Sequence, residues 1–479
     1  MLPDRDEFSR WNDELAQTGS RLTGTAQHER FVDSLGERLE SLGLEVHRDT
    51  VRFTRWQPRR WDLRVSAAMT RSLPVSSPFP YSGETPPEGV SGELVYCGGA
   101  PGSFEAAAGR IAIVEVRVPR IPTLILPRRS GRLPLTITNP LLASFLRAPD
   151  LAAARAAGVR AVIGVWRGVS PDNAAGQVLP FTLPYQGCPG LWVDASTGDE
   201  LIDAARRGET ATLVLDAEIT DDAVTHTIWT EVAGADPAAA GETVVVNTHT
   251  DGPNLIEENG GLALLALAGH ARHAVGASRW RRSHVFAFVS GHFRIPDIAT
   301  DPHGQATSTW LDAHPELWDG EHGHRRAVAG VTVEHLGATE WDDRRGRAPY
   351  RHTGAPAHEL VYTGNPEMER IYHAASRLQL PRRPVTLRPA FGVYFGEGAA
   401  LYRAGLPTIS LVPGPSYLAA EAPDGGRQWF DPVLAHAQLM TFARVLEEID
   451  RTPTSQVGVA QPELGAALGR LTDKVAARG

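Results

Sequence analysis

The chain has 479 residues, 42% of them hydrophobic, and a formal net charge of −9. That length exceeds one ordinary core, so two or more domains are expected, and the acidic balance argues against a nucleic-acid partner. No apolar run reaches membrane-spanning length, so a soluble globular protein with no membrane partner is expected.

The opening residues, MLPDRDEFSRWNDEL, are charged and lack the apolar core of a signal peptide, which points to a cytoplasmic location. Residues 27–42 read as a helix, with Phe31, Leu35, Leu39 and Leu42 on one face. LEVHRDTVRF follows as a strand, and the Pro/Ser/Gly-rich stretch at 74–92 reads as a junction. Next come a strand at Ile111–Val116, a helix at about 149–157, the strand AVIGV at 161–165, and a helix near 197–207 that leads into TATLVL. This βαβ pattern suggests an independent unit at 87–218. Cys97 and Cys188, the two cysteines, cannot build a disulfide framework or a four-cysteine zinc site, and free buried thiols are expected.

From residue 243 the pattern is α/β. TVVVNTH at 243–249 is apolar on both faces, as in a buried sheet. The helix GLALLALAGHARH, the strand HVFAFV at 284–289, and the strands within VAGVTVEHLG and LPTISLVP follow. The alternation predicts a sheet with helices on both faces. A helix at 432–449 precedes a terminal stripe of Leu464, Leu468, Leu471 and Val475, a face for docking on its own domain or for a homodimer.

In open α/β sheets functional groups collect where strands end. Those ends carry His249, Thr250 and Asp251, then Ser290, Gly291 and His292, then Glu334 and His335. Glu257 and Glu258 open the helix after the first strand, and Glu397 stands before LPTISL. Imidazole and carboxylate are suited to one cation or to one proton-transfer centre, and Asp251 is placed to hold the second nitrogen of His249. Each residue also has an ordinary reading: a satisfied core histidine, a carboxylate complementing a helix N-terminus, or a solvated loop. Trp229, Phe293, Tyr394 and Tyr417 are candidates for a pocket lining, with core packing the expected role.

The segments GSRLTGTAQHERFVDSLGERLESLGLEV, VVVNTHTDG, EENGGLALLALA, HVFAFVSGHF, VTVEHLG and FGEGAALYRAGLPTISL resemble the co-catalytic zinc aminopeptidases related to glutamate carboxypeptidase, transferrin receptor and glutaminyl cyclase. Residues 87–218 resemble a protease-associated domain in AAAGRIAIVEV, AAARAAGVRAVIGV and PGLWVDASTGDELIDAARRGETATLVL. The resemblance implies an α/β fold with a mixed central sheet and helices on both faces, plus an inserted α+β protease-associated domain. It divides the chain into a first peptidase-like part at 1–86, the insert at 87–218, a second peptidase-like part at 219–450 and a helical tail at 451–479.

Residue by residue, the resemblance puts His249 at the first histidine ligand and Asp251 at the residue that orients it. Glu257 falls at the bridging aspartate, with Glu258 beside it as the alternative, and Glu334 at the later aspartate ligand. The family's paired glutamates fall on His292, at the general base, and on Phe293. The final histidine falls on Gly398, next to Glu397. This implies at most one zinc ion, held by His249, Glu257 and Glu334, with His292 as a fourth ligand or as an acid–base residue, or no metal at all. Three readings stay open. One is a hydrolase of an amide or peptide-like bond in a small-molecule or peptide-like substrate. Another is a metal-free acid–base enzyme (cyclase, lyase or isomerase) in which His292 relays protons with Glu258, Glu334 or His335. The last is a non-catalytic binding protein.

Overall fold

The computed structural model describes residues 2–66, 69–276, 280–294, 304–377 and 383–463. The terminal stripe from Leu464 to Val475 lies outside them. Helix α1 (Arg5–Gln17) is capped by Asp4 and α2 (Ala26–Ser41) by Thr25, each side chain accepting a backbone N–H of the first turn. Phe31, Leu35 and Leu39 are buried as the spacing predicts, but Leu42 caps the helix and is 42% exposed. Strand β1 (His47–Ser66) is far longer than the sequence suggests, because a partner strand described below runs beside it for almost its whole length.

The Pro-rich stretch supplies a two-residue strand, Ser77–Pro78, and at its end the first residues of the next strand. Strands β2 (Val90–Gly99), β3 (Ile111–Arg117), β4 (Ala161–Arg167) and β5 (Gly190–Val193) then pair in parallel in that order. Helices α3 (Leu151–Ala156) and α4 (Ala195–Arg206) lie in the crossovers before β4 and after β5. Cys97 and Cys188 are free thiols; Cys188 is buried and Cys97 only half so. The partner of β1 is β6 (Thr210–Val232), which pairs with β2 near its start and with β8 (Ser283–Val289) near its end. Residue 218, the expected edge of the inserted unit, therefore lies inside a strand.

The central strand β7 (Glu242–His249) pairs in parallel with β8 and with β9 (Arg326–Val333). Strand β10 (Glu359–Thr363) runs antiparallel to β12 (Thr408–Leu411), β11 (Pro384–Leu387) pairs in parallel with β10, and β12 pairs in parallel with β9. All belong to one mixed sheet of 14 strands. Alternation decides what β7 touches. Val244 and Val246 join a cluster with α2, α6 (Gly260–Gly276) and α9 (Pro432–Arg451), while Val245 faces Trp310 of α7 (Ala306–Ala313) and Leu401 of α8 (Gly398–Arg403). Helices on both faces explain the unbroken apolar run. Among the described residues, no helix is long and apolar enough to cross a membrane. The expected pocket aromatics Trp229, Phe293, Tyr394 and Tyr417 are all buried.

Candidate metal and acid–base site

The parallel strands β7, β8 and β9 end side by side, so the residues just past them meet in one place. His249, Glu257, His292, Glu334, His335 and Glu397 are all buried there. Helix α5 (Leu255–Glu258) brings in the carboxylates, capped by Asn254, whose amide also donates to the carbonyls of Leu418 and Ala420. Asn259 then exchanges two hydrogen bonds with Leu336, at 2.8 and 2.9 Å, which ties the end of β9 to this helix. Next to Leu336, His335 is held at a φ of 59°, a left-handed conformation that a non-glycine residue rarely adopts.

Three donor atoms, one each from His249, Glu257 and His335, lie within 4.8 Å of one another. His249 Nδ1 is 2.9 Å from the Asp251 carbonyl and His335 Nδ1 is 2.7 Å from the Pro413 carbonyl. A carbonyl only accepts, so both Nδ1 atoms carry the proton and both Nε2 atoms present a lone pair. His335 Nε2 stands 3.1 Å from Glu257 Oε2, and His249 Nε2 stands 3.9 Å from Glu257 Oε1. Two acceptors at such a distance repel unless a proton or a cation lies between them. A tetrahedral zinc ion with bonds of about 2.0–2.1 Å sets its ligands roughly 3.3 Å apart. Among the described residues, His249 Nε2, His335 Nε2, Glu257 Oε2 and Glu334 Oε2 have no hydrogen-bond partner, and buried polar atoms normally have one. The donor set and its orphaned atoms thus fit one divalent cation.

His292 stacks on His249 with ring centroids 4.0 Å apart. Its Nδ1 lies 2.7 Å from Glu397 Oε1, and its Nε2 faces Glu257 Oε1 at 3.8 Å. The second oxygen of Glu397 accepts the Thr307 amide near the start of α7, and the Glu397 amide donates to Glu334 Oε1. Burial disfavours the His292 imidazolium, but its hydrogen bond to Glu397 and the surrounding carboxylates lift its pKa to about 9. Burial alone would raise Glu397, yet His292 and the Thr307 amide hold it below the usual carboxylate range. Burial and then the neighbouring His292 push His249 down to about 3, and burial raises Glu334 to about 8 and Glu257 well above its ordinary value.

Several expectations need correction. The Asp251 carboxylate does not hold His249; its backbone carbonyl does. The carboxylate instead accepts the amides of Gly291, His292 and Phe293 and the Thr23 hydroxyl, fixing the turn that carries His292. Glu258 is not in the group of three; the fully buried Arg21 pairs with it. Glu334 adjoins the site but is not in the group of three; His335, expected only as a proton relay, takes that place. The chain order of strand ends pointed to His335 and Glu397, while nothing in the sequence marks Arg21 as buried.

No family model matches the chain, and no curated protein does. Solved structures do match in fold. A peptidase M28 precursor from Shewanella amazonensis SB2B is similar at a TM-score of 0.62 and 15% identity, over 96% of this chain and 99% of that one. A zinc aminopeptidase from Bacillus subtilis is similar at 0.60 and 15%, over 95% and 98%. An aminopeptidase from Aneurinibacillus sp. strain AM-1 is similar at 0.57 and 15%, over 96% and 95%. The chain therefore has the fold of zinc aminopeptidases over nearly its whole length.

Proposed function

We propose that this chain is a hydrolase of amide or peptide-like bonds that works with one divalent metal ion, zinc being the best match to two imidazoles and a carboxylate. His249, Glu257 and His335 would hold it, and a zinc ion there supplies Lewis acidity. The observation that carries this reading is the pair of Nε2 lone pairs aimed at one buried carboxylate. His292 holds and moves the proton at Nε2, the atom turned toward Glu257. Glu397 keeps Nδ1 protonated and the ring in place, as a carboxylate does for a catalytic imidazole. Asp251 anchors the backbone beneath that ring. The burial of the group lowers the local dielectric, which strengthens each of these interactions. Residues 87–218 fit the role of a protease-associated domain: Phe181 from that segment lies 5.7 Å from the His292 ring and forms part of the wall beside it.

The test pairs metal analysis with hydrolysis of aminoacyl anilides by the full chain. About one zinc per chain, activity lost to a chelator, and a His292→Ala variant that keeps its metal but loses turnover by about 10²–10⁴-fold are expected. Activity that survives complete removal of metal, but not His292→Ala, would replace this reading with metal-free acid–base chemistry.

A further inference from the structure

Glu257 and Glu258 are adjacent on α5, and both are buried, at 2% and 0% exposure. Successive helical residues point about 100° apart, so one can face the donor set while the other must find a partner elsewhere. Arg21 provides it. Its guanidinium meets Glu258 through Nη2, and its Nη1 donates to the carbonyls of Leu15 and Gly19 and to the Thr18 hydroxyl. Those three groups belong to the C-terminal end of α1 and the turn after it. The Arg21 backbone exchanges two hydrogen bonds with Gly252, at 2.9 and 3.1 Å. Gly252 has no room for a side chain, since a Cβ there would lie 2.6 Å from Glu257 Cγ and 2.7 Å from Glu258 Oε2. Arg21 is thus pinned from α1 on one side and from the end of β7 on the other, with its charge aimed at one of two neighbouring carboxylates.

We infer that Arg21 is a positioning residue that decides which glutamate serves the centre: it draws Glu258 aside and leaves Glu257 to His249 and His335. This rests on the single-cation reading above. Without Arg21, Glu258 is a buried carboxyl group that has lost its cationic partner beside the cation site, where a bound cation offers a new one. Glu258 then competes with Glu257 and changes the ligand set. Replacing both members of the pair removes the competitor and returns the site to Glu257.

The experiment uses the full chain, cobalt(II) as a spectroscopic probe and zinc(II) competition for affinity, with wild type, Arg21→Met and Arg21→Met/Glu258→Met compared. Arg21→Met is expected to shift the visible cobalt band and to weaken metal binding by about 10–100-fold, as loss of a supporting partner does. The double variant is expected to restore the wild-type band and affinity. If Arg21→Met does not fold, Arg21→Lys is read in its place, because a point charge cannot span from Glu258 to Leu15 and Gly19; a shift in the same direction supports the inference. A variant that loses thermal stability but keeps the wild-type band and affinity makes Arg21 merely structural and overturns it, as does a double variant that stays altered. A wild type that takes up no cobalt or zinc overturns the single-cation reading, and this inference with it.

Discussion

The two sides of His292 are built on opposite plans. Toward β7 and β9, His249, Glu257, Glu334 and His335 leave four buried polar atoms without partners among the described residues. On the other side, Phe293 is 2% exposed and stacks on Phe181 at 4.3 Å, in an apolar cluster with Trp166 and Trp192. Between β9 and β12, a Cβ on Gly398 would lie 2.4 Å from Ser410 Oγ and 2.8 Å from Thr332 Oγ1, which leaves a larger side chain no room there either. One side keeps unmet demand for positive charge, and the other has been closed by packing. The packed side therefore offers no vacant site for a second ion; its volume belongs to the core.

The strongest way to break this contrast is His249→Ala or His335→Ala. Each removes one of three donors, so metal content should fall to near zero and kcat/KM by about 10³-fold or more, an effect of roughly 4 kcal/mol. Metal analysis alongside kinetics reads both. Phe293→Glu probes the packed side. An unpaired carboxylate in that cluster should cost about 3–5 kcal/mol in denaturant unfolding, with metal stoichiometry unchanged; a second bound ion would end the contrast. Glu397→Gln sharpens the polar side, because His292 loses its charged partner. Turnover should fall by about 10²-fold at unchanged metal content.

The smallest effect belongs to a control far from the site. His284 is buried beside Trp280, and burial lowers its pKa from 6.5 to about 4. A depressed folded-state value contributes stability that is present above pH 6.5 and is lost as pH falls toward about 4. His284→Phe should therefore gain on the wild type by about 1.4 kcal/mol per pH unit across that window. Paired urea titrations at pH 7 and pH 5 measure it, and an identical pH dependence in both proteins would refute it.

Much of this arrangement can be read from sequence where local pattern decides it. VVVNTH announces a strand covered on both faces, and its end locates His249. His292 and Glu334 follow from the next strand ends. The rest depends on backbone geometry and on distant partners. The left-handed backbone at His335 turns its ring into the donor group, and a single sequence carries no mark of that. The resemblance favours Glu257 over Glu258, but the physical reason lies with Arg21, more than 230 positions upstream, which pairs with Glu258. β1 carries Pro58 and many charged residues, so its full length emerges only once β6 lies alongside.

That pair of strands constrains how the molecule can move. β1 has 20 residues and β6 has 23. At about 3.3 Å per residue they form a beam roughly 65–75 Å long, which runs from the β2–β5 layer into the sheet that carries the centre. A clamshell opening would have to tear this ladder. Its weak points are the two register shifts, at Phe53/Arg55 and Pro58/Arg60. Any flexing between the β2–β5 layer and the strands that carry the centre should therefore concentrate at those two joints.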